Sequence, residues 1–260
     1  MQPQSKISQS FRRALLTYQD AATVQRECAD RLAQHLFSCE LPKEFNRGFE
    51  FGCGTGFLTK QLINTLSIKA LFVNDLVASC KDFLLESGIP PNQFSFIEGD
   101  IEAISIPNSC DLICSTSCIQ WSTDQATLIE KLSNSLNKNG YLAISSFSQG
   151  HFKELQNIQT EIANHRYALN YWTTKEWEKH LKVDFNIKIV ETEQIVLWFN
   201  SVNELLLHLR HTGVNGNVGQ NWSQHTLKQF RQRYREEFEQ RNKVPLSYQP
   251  IYIVAQKKDQ

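Results

Sequence analysis

Apolar positions follow two rhythms along this chain, short continuous runs and helical spacing, and their order predicts the fold. Residues 11–40 are polar with apolar residues at helical spacing, so one or two helices come first. A short run at 48–51 predicts the first core strand, and 55–66 the helix after it. Residues 68–74 read as a second strand ending at Asp75. Residues 78–87 read as a helix, broken by Ile89-Pro90-Pro91. A short strand at 94–97 runs into Glu98-Gly99-Asp100, and another is predicted at 111–115. A helix over 122–136 is expected to stop at Asn139-Gly140, and 141–147 is a further strand. Strands that alternate with helices in this way argue for right-handed β-α-β units and a parallel sheet.

After residue 150 the pattern changes. Residues 187–190 and 195–199 are strand-like, 201–209 and 226–239 look helical, and 251–255 reads as a last strand after Pro250. Between the two helical stretches lies a loop, Gly213-Val214-Asn215-Gly216-Asn217-Val218-Gly219. About fifty residues separate the last two strands, too many for a simple connection, so they are read as a helical cap. The expected division is N-terminal helices forming a lid over 1–45, a core over 46–199, a helical cap over 200–245 and the final core strand over 246–260.

Composition narrows the function without choosing it. At 260 residues the chain can bury a substantial core. Lys plus Arg number 27 and Asp plus Glu also 27, so there is no bulk attraction to nucleic acid or anionic membrane, and neither is an expected partner. No run of about 18 apolar residues and no cleavable signal pattern at 1–10 is found. The seven Cys are scattered with no C-x-x-C pair, which fits reduced thiols in the cytoplasm. Neither His nor Cys shows a metal-ligand spacing, so no metal is expected.

The candidate chemistry gathers at Phe49-Glu50-Phe51-Gly52-Cys53-Gly54-Thr55-Gly56-Phe57, the end of a buried strand, a glycine turn and the start of a helix. The spacing is G-x-G-x-G and position 57 is Phe, so the dinucleotide fingerprint G-x-G-x-x-G fails at its third glycine. No Lys-Ser/Thr follows, so it is not a phosphate-binding P-loop. Glu50 would repel a pyrophosphate and suits a cationic or amino head group. Asp75 ends the second strand, where a carboxylate can accept ribose hydroxyls, and Asp100 follows the third, with Ile101 able to pack on a base. Acids at three successive strand ends fit a positively charged nucleoside without phosphates, S-adenosylmethionine.

Glu50-Phe51-Gly52-Cys53-Gly54-Thr55-Gly56, Asn74-Asp75, Gly99-Asp100-Ile101 and Asn139-Gly140-Tyr141 resemble the successive motifs of class I S-adenosylmethionine-dependent methyltransferases. The resemblance implies a Rossmann-like α/β fold: a seven-stranded, mostly parallel sheet with one antiparallel strand, helices on both faces and a helical cap. It implies S-adenosylmethionine as methyl donor. Its binding residues are expected to be Glu50, Gly52, Cys53, Gly54, Gly56, Asp75, Leu76, Asp100, Ile101 and Ser115. Asn74 departs from the pattern, where an apolar residue is more usual.

Further segments resemble one branch, the malonyl-acyl-carrier-protein O-methyltransferases of biotin synthesis. They are Phe11-Arg12-Arg13-Ala14 with Thr17-Tyr18, Ser115-Thr116-Ser117-Cys118-Ile119-Gln120-Trp121, Ser148-Gln149-Gly150, Leu209-Arg210-His211-Thr212-Gly213-Val214-Asn215, and Pro245-Leu246-Ser247-Tyr248. The stretch after Gly219 matches poorly. The branch implies methyl transfer to the free carboxylate of a malonyl thioester on acyl-carrier protein or coenzyme A, in a cytoplasmic enzyme expected to be a monomer. A carboxylate is ionised at neutral pH, so no general base is needed. Arg210 is the candidate for holding that carboxylate, because its planar donors match one. Tyr18 is expected to act as a lid residue, and Gln120 and Trp121 to shape the pocket floor. Cys53 is read as a small residue in the turn rather than a nucleophile, and His208 and His211 flank Arg210.

Two other readings stay open: a methyltransferase acting on another small carboxylate or a quinone precursor, and a non-catalytic S-adenosylmethionine-binding protein. Lys228, Arg231, Arg233, Arg235 and Arg241 could meet an acidic carrier, but Glu236, Glu237 and Glu239 intervene, and a solvated charged helix is the plainer reading.

Overall fold

Seven of the apolar runs pair into one sheet, with strand order β3-β2-β1-β4-β5-β9-β6 in a computed structural model that describes residues 3–163, 171–214 and 222–259. The strands are β1 (Phe45–Phe51), β2 (Ile68–Asp75), β3 (Ser95–Glu98), β4 (Cys110–Thr116), β5 (Leu136–Phe147), β6 (Phe185–Thr192) and β9 (Pro250–Lys257). Neighbours from β3 to β5 run parallel, whereas β9 runs antiparallel to both β5 and β6. The expected single antiparallel strand is therefore β9. Its run Ile251-Tyr252-Ile253-Val254-Ala255 is fully apolar because both of its faces are covered.

The register shows what covers each face. Phe72, Phe49, Ile113, Leu142, Ala255 and Ile187 stand in one rung across six strands, in the same apolar cluster as Leu128 and Leu132 of α5 (Gln125–Ser135) and Trp177 and Leu181 of α7 (Thr174–Leu181). The next rung, Val73, Glu50, Cys114, Ala143 and Val254, points to the opposite face. On that face Tyr252 meets α2 (Thr23–Ser38), with its ring 5.3 Å from that of His35. Gln61 of α3 (Phe57–Thr65) donates to Asp30 of α2 at 2.7 Å. Helices thus lie on both faces. α4 (Cys80–Glu86) follows β2.

The chain forms two compact units, each built from three stretches. The larger comprises 24–148, 172–192 and 250–260; the smaller comprises 1–23, 149–171 and 193–249. In the smaller unit α1 (Pro3–Ala21) packs on α8 (Val202–His211), and α6 (Lys153–Ala163) packs on α9 (Gln224–Phe238). Two strands, β7 (Ile195–Phe199) and β8 (Val244–Tyr248), pair antiparallel. Phe152, Leu205, Leu209, Phe230, Tyr234 and Tyr248 are buried there. Among the described residues no helix is long and apolar enough to cross a membrane.

Several expectations are corrected. The strand at 195–199 pairs with 244–248 rather than joining the large sheet, so the cap is not purely helical and the final core strand starts at Pro250. The division therefore differs from one at 45/46, 199/200 and 245/246, because 149–171 also contributes to the smaller unit. The helix expected to stop at Asn139-Gly140 ends at Ser135, and β5 begins at Leu136. Leu136 and Tyr141 pair with Cys110 and Leu112, so the intervening residues bulge, with Asn139 at φ 62°. Residues 215–219 of the glycine- and asparagine-rich loop lie outside the described residues.

Candidate functional site

The glycine turn leaves β1 and enters α3. Gly52 has φ +66°, and a Cβ there would collide with Cys118 Sγ and Cβ, so the position admits only glycine. Gly54 has φ +53° and open space where a Cβ would stand, so its backbone is approachable. Gly56 is the N-cap of α3 with no side-chain cap, which leaves the first N–H groups of the helix without a partner from that residue.

Glu50 lies under this turn in the apolar rung between Val73 and Cys114, fully buried. Among the described residues neither carboxylate oxygen has a hydrogen-bond partner, and the same holds for the buried hydroxyls of Thr55 and Thr59. Burial, with a smaller push from Asp75, raises the Glu50 carboxyl to about 8, although Thr59 is near enough to temper the rise. Orphaned buried oxygens at an open turn are the fit expected for a group that brings its own donors, such as an ammonium.

Asp75 ends β2, beside β1. Its Oδ2 accepts from Gly54 N at 2.8 Å and its Oδ1 from Val77 N at 2.9 Å. The carboxylate thereby ties the turn to β2 and keeps lone pairs for hydroxyls. Burial raises its pKa against those two bonds. Asp100 is half-buried two residues beyond β3, and its Oδ1 accepts from Glu102 N at 2.9 Å. Glu50, Asp75 and Asp100 are brought together at the carboxyl ends of three adjacent strands, the usual ligand edge of such a sheet.

Three residues that fix this edge were missed in the sequence. Buried Asn74 donates its amide to Ile97 O and Gly99 O, each at 2.8 Å, and staples β2 to the turn before Asp100. Lys131 donates to the carbonyls of Ile101, Glu102 and Ile104 at 2.7–3.0 Å and holds the segment after Asp100. Glu102 accepts from Ser122 and Thr123, and these bonds lower its pKa despite partial burial. Asn74 was visible only as a departure from pattern; Lys131 and Glu102 carry no local signal.

The remaining predicted donor-site residues are in the larger unit. Ser115 is fully buried and its hydroxyl donates to Phe51 O at 2.8 Å, tying β4 to the end of β1. Leu76 is half-buried, whereas Ile101 belongs to the apolar cluster with α5. Cys53 is buried, and its thiol is pushed well above the usual range by burial and then by Asp75 and Glu50, so it stays neutral. Gln120 is buried, donating to Ser117 O at 2.8 Å and accepting from Ser146 Oγ at 3.2 Å; Trp121 beside it is half-buried.

Tyr18 and Arg210 belong to the smaller unit. Tyr18 is buried on α1 with its ring 5.2 Å from Phe11. Arg210 is exposed on α8, next to buried Leu209. Thr17 Oγ1 donates to His211 O at 3.2 Å, which links α1 to the end of α8. His208 is turned inward to Tyr248, Nε2 to hydroxyl 2.7 Å, rather than toward a ligand. Burial, aided by His211, lowers its pKa to about 4. Among the described residues no three His, Cys, Asp or Glu side chains are grouped as metal ligands.

A family model described as a methyltransferase domain matches residues 49–144, the span from the first acid–glycine turn into β5. Among solved structures, the YcgJ protein from Bacillus subtilis superposes with TM-score 0.61 at 13% identity over 88% of this chain and 98% of its own. The N-methyltransferase NodS from Bradyrhizobium japonicum, in complex with S-adenosyl-L-homocysteine, gives TM-score 0.56 at 14% identity over 97% and 98%. These two share the fold. The malonyl-[acyl-carrier protein] O-methyltransferase of Bacteroides thetaiotaomicron is 35% identical over 97% of this chain and 97% of its own length. That of Acinetobacter baylyi is 32% identical over 97% and 96%. Identity at this level along nearly the whole of both chains, on a sheet whose strand ends carry the acid–glycine turn, means that the chain belongs to the malonyl-[acyl-carrier protein] O-methyltransferase family of class I methyltransferases.

Proposed function

We propose that this protein transfers a methyl group from S-adenosylmethionine to the free carboxylate of a malonyl thioester on acyl-carrier protein, giving the methyl ester that begins pimeloyl chain synthesis for biotin. S-adenosylmethionine supplies a methyl group on a sulfonium, open to in-line attack. The observation that carries the donor half of the reading is Glu50, a buried carboxylate with both oxygens unpartnered among the described residues, beneath an open glycine turn. The acceptor half is carried by full-length similarity to the two malonyl-carrier methyltransferases.

The roles follow from side-chain chemistry. Glu50 holds the ammonium of the donor, and Gly52, Cys53, Gly54 and Gly56 let its backbone approach. Asp75 accepts the ribose hydroxyls; Asp100, Ile101, Leu76 and Ser115 complete the nucleoside site. On the acceptor side Arg210 holds the malonyl carboxylate, and Tyr18, Gln120 and Trp121 shape its surroundings. The nucleophile arrives ionised, so these residues need only position it and exclude water. Methylation removes the charge and leaves an acyl chain that ends in an ester.

Mass spectrometry of malonyl-carrier protein incubated with the enzyme and S-adenosylmethionine tests this. A gain of one methyl group is expected, and no gain overturns it. Free malonate and other small acids serve as the comparison and are expected to gain none. Arg210→Ala should lower kcat/KM for the malonyl thioester by about 10- to 100-fold, the loss expected when a charge-assisted carboxylate contact is removed. An unchanged value removes Arg210 from the site.

A further inference from the structure

The basic residues of α9 and of the turn that follows it divide into two kinds. Arg233 is spent along the helix, its Nη2 on Glu237 at 2.6 Å and its Nη1 on Glu236 at 3.6 Å, and Arg235 Nε meets Glu239 at 2.5 Å. Lys228, Arg231 and Arg241 have no ion-pair partner among the described residues. These three are not scattered. Lys228, Arg231, Arg235 and Glu239 follow one another at three- and four-residue steps along one face of α9, and with Arg241 and Asn242 they line a groove of about 720 Å³. The two carboxylates in the groove, Glu236 and Glu239, are already engaged by Arg233 and Arg235, so the uncompensated charge is positive. Arg231 Nε is buried within this setting and has no hydrogen-bond partner among the described residues.

The turn that brings Arg241 to the groove is unusual. Gln240 N donates to Lys243 O at 2.8 Å and Lys243 N to Gln240 O at 2.9 Å, closing a tight hairpin. Its two central residues, Arg241 and Asn242, have φ of 50° and 60°. Asn suits that conformation and Gly suits it best; an arginine at the first central position is strained. The strain places a cation at the groove where a relaxed turn would have Gly or Asn.

We propose that this groove is the docking surface for the acyl-carrier protein, receiving the carboxylates of an acidic face on that partner. The inference rests on the proposed function for the partner's identity and on charge complementarity for the place. It departs from the plainer reading of α9 as a solvated charged helix, which suits Arg233 and Arg235, paired along the helix, better than the unpaired Lys228, Arg231 and Arg241.

Calorimetric titration of the full chain with malonyl-carrier protein tests it. The wild-type Kd should weaken as NaCl rises, and Arg231→Glu combined with Arg241→Glu should weaken it by about tenfold or more. Arg233→Glu, which removes a cation already paired on the helix, should leave it near wild type. Methylation of a malonyl thioester of N-acetylcysteamine, which has no carrier to dock, should keep its KM in all three. Arg241→Asn separates docking from folding, because relief of the positive-φ strain should raise Tm while carrier binding weakens. A double variant that binds the carrier as tightly as wild type overturns the proposal, as does equal loss with Arg233→Glu or preferential binding of the groove to nucleic acid or anionic vesicles. Failure of the functional reading looks different: the carrier binds through the groove, yet neither it nor the small thioester gains a methyl group.

Discussion

Two glutamates, each buried, have opposite fates in this protein. In the smaller unit Glu154 is satisfied on both oxygens, by Ser247 N at 3.0 Å and Ser247 Oγ at 2.5 Å. In the larger unit Glu50 is satisfied on neither among the described residues, and its carboxyl rises to about 8. Half-buried His208 is likewise completed within the smaller unit, by the Tyr248 hydroxyl at 2.7 Å. A buried polar group completed by the fold is architecture; one left incomplete waits for a ligand.

The largest expected effect comes from breaking the incomplete member. Glu50→Gln should weaken S-adenosylmethionine binding by about 100-fold, the scale for removing one partner of a buried charge pair. The donor's ammonium should favour the ionised carboxylate, so wild type should release close to one proton on binding at pH 7 and the variant none. Calorimetry in buffers of different ionisation enthalpy reads this, and equal proton release by both would remove Glu50 from the donor site.

Stability against pH extends the contrast. Because folding raises the Glu50 pKa, its contribution is fully present below about 4.5 and is lost as pH rises through about 8. His208 has the opposite sign: its pKa falls on folding, so its contribution is present above about 6.5 and is lost as pH falls toward about 4. Between about 4.5 and 6.5 the two slopes oppose each other, and above that range Glu50 alone acts. Thermal melts of unliganded protein from pH 6 to 9 should show falling Tm in wild type and a flatter profile in Glu50→Gln.

Breaking the completed member should cost folding and spare the ligand. Glu154→Gln should destabilise by about 2 kcal/mol through the loss of charge-assisted bonds to Ser247, with donor Kd within about twofold of wild type. Chemical denaturation and calorimetry together check it; a large change in donor Kd would end the distinction between the two glutamates. The smallest expected effect is at Asn74, which is complete yet adjoins the donor site. Asn74→Leu should cost about 1–2 kcal/mol by leaving Ile97 O and Gly99 O unpaired, with a several-fold weaker donor Kd as the Asp100 turn loosens.

The sheet was largely legible because its strands are apolar runs bounded by turn residues, and the acids at their ends are fixed by sequence position. Asn74 was not, because its partners are backbone carbonyls more than twenty residues ahead. Nor was Lys131, whose three acceptors lie 27–30 residues behind it. The β7–β8 pairing escaped because Pro245 weakens β8 as a strand signal and the partner is far along the chain. α6 and α7 were passed over, although Thr173 and Glu176 form a capping box that the sequence displays as T-x-x-E. The donor side was therefore readable as a local motif. The acceptor side was reached only through resemblance.

The position of β9 bears on how the protein is made. β5 and β6 do not touch as partners; both pair with β9, which lies between them. A ribosome that has delivered the chain as far as residue 249 has released β5 and β6 with a gap one strand wide between them. Each then presents an open row of backbone donors and acceptors, the template on which nascent chains stick to one another. Translation must supply the eight residues of Pro250–Lys257 before the gap can close along its length. Nonsense changes upstream of Pro250 should therefore yield insoluble product, even though every residue of the donor site has already been made.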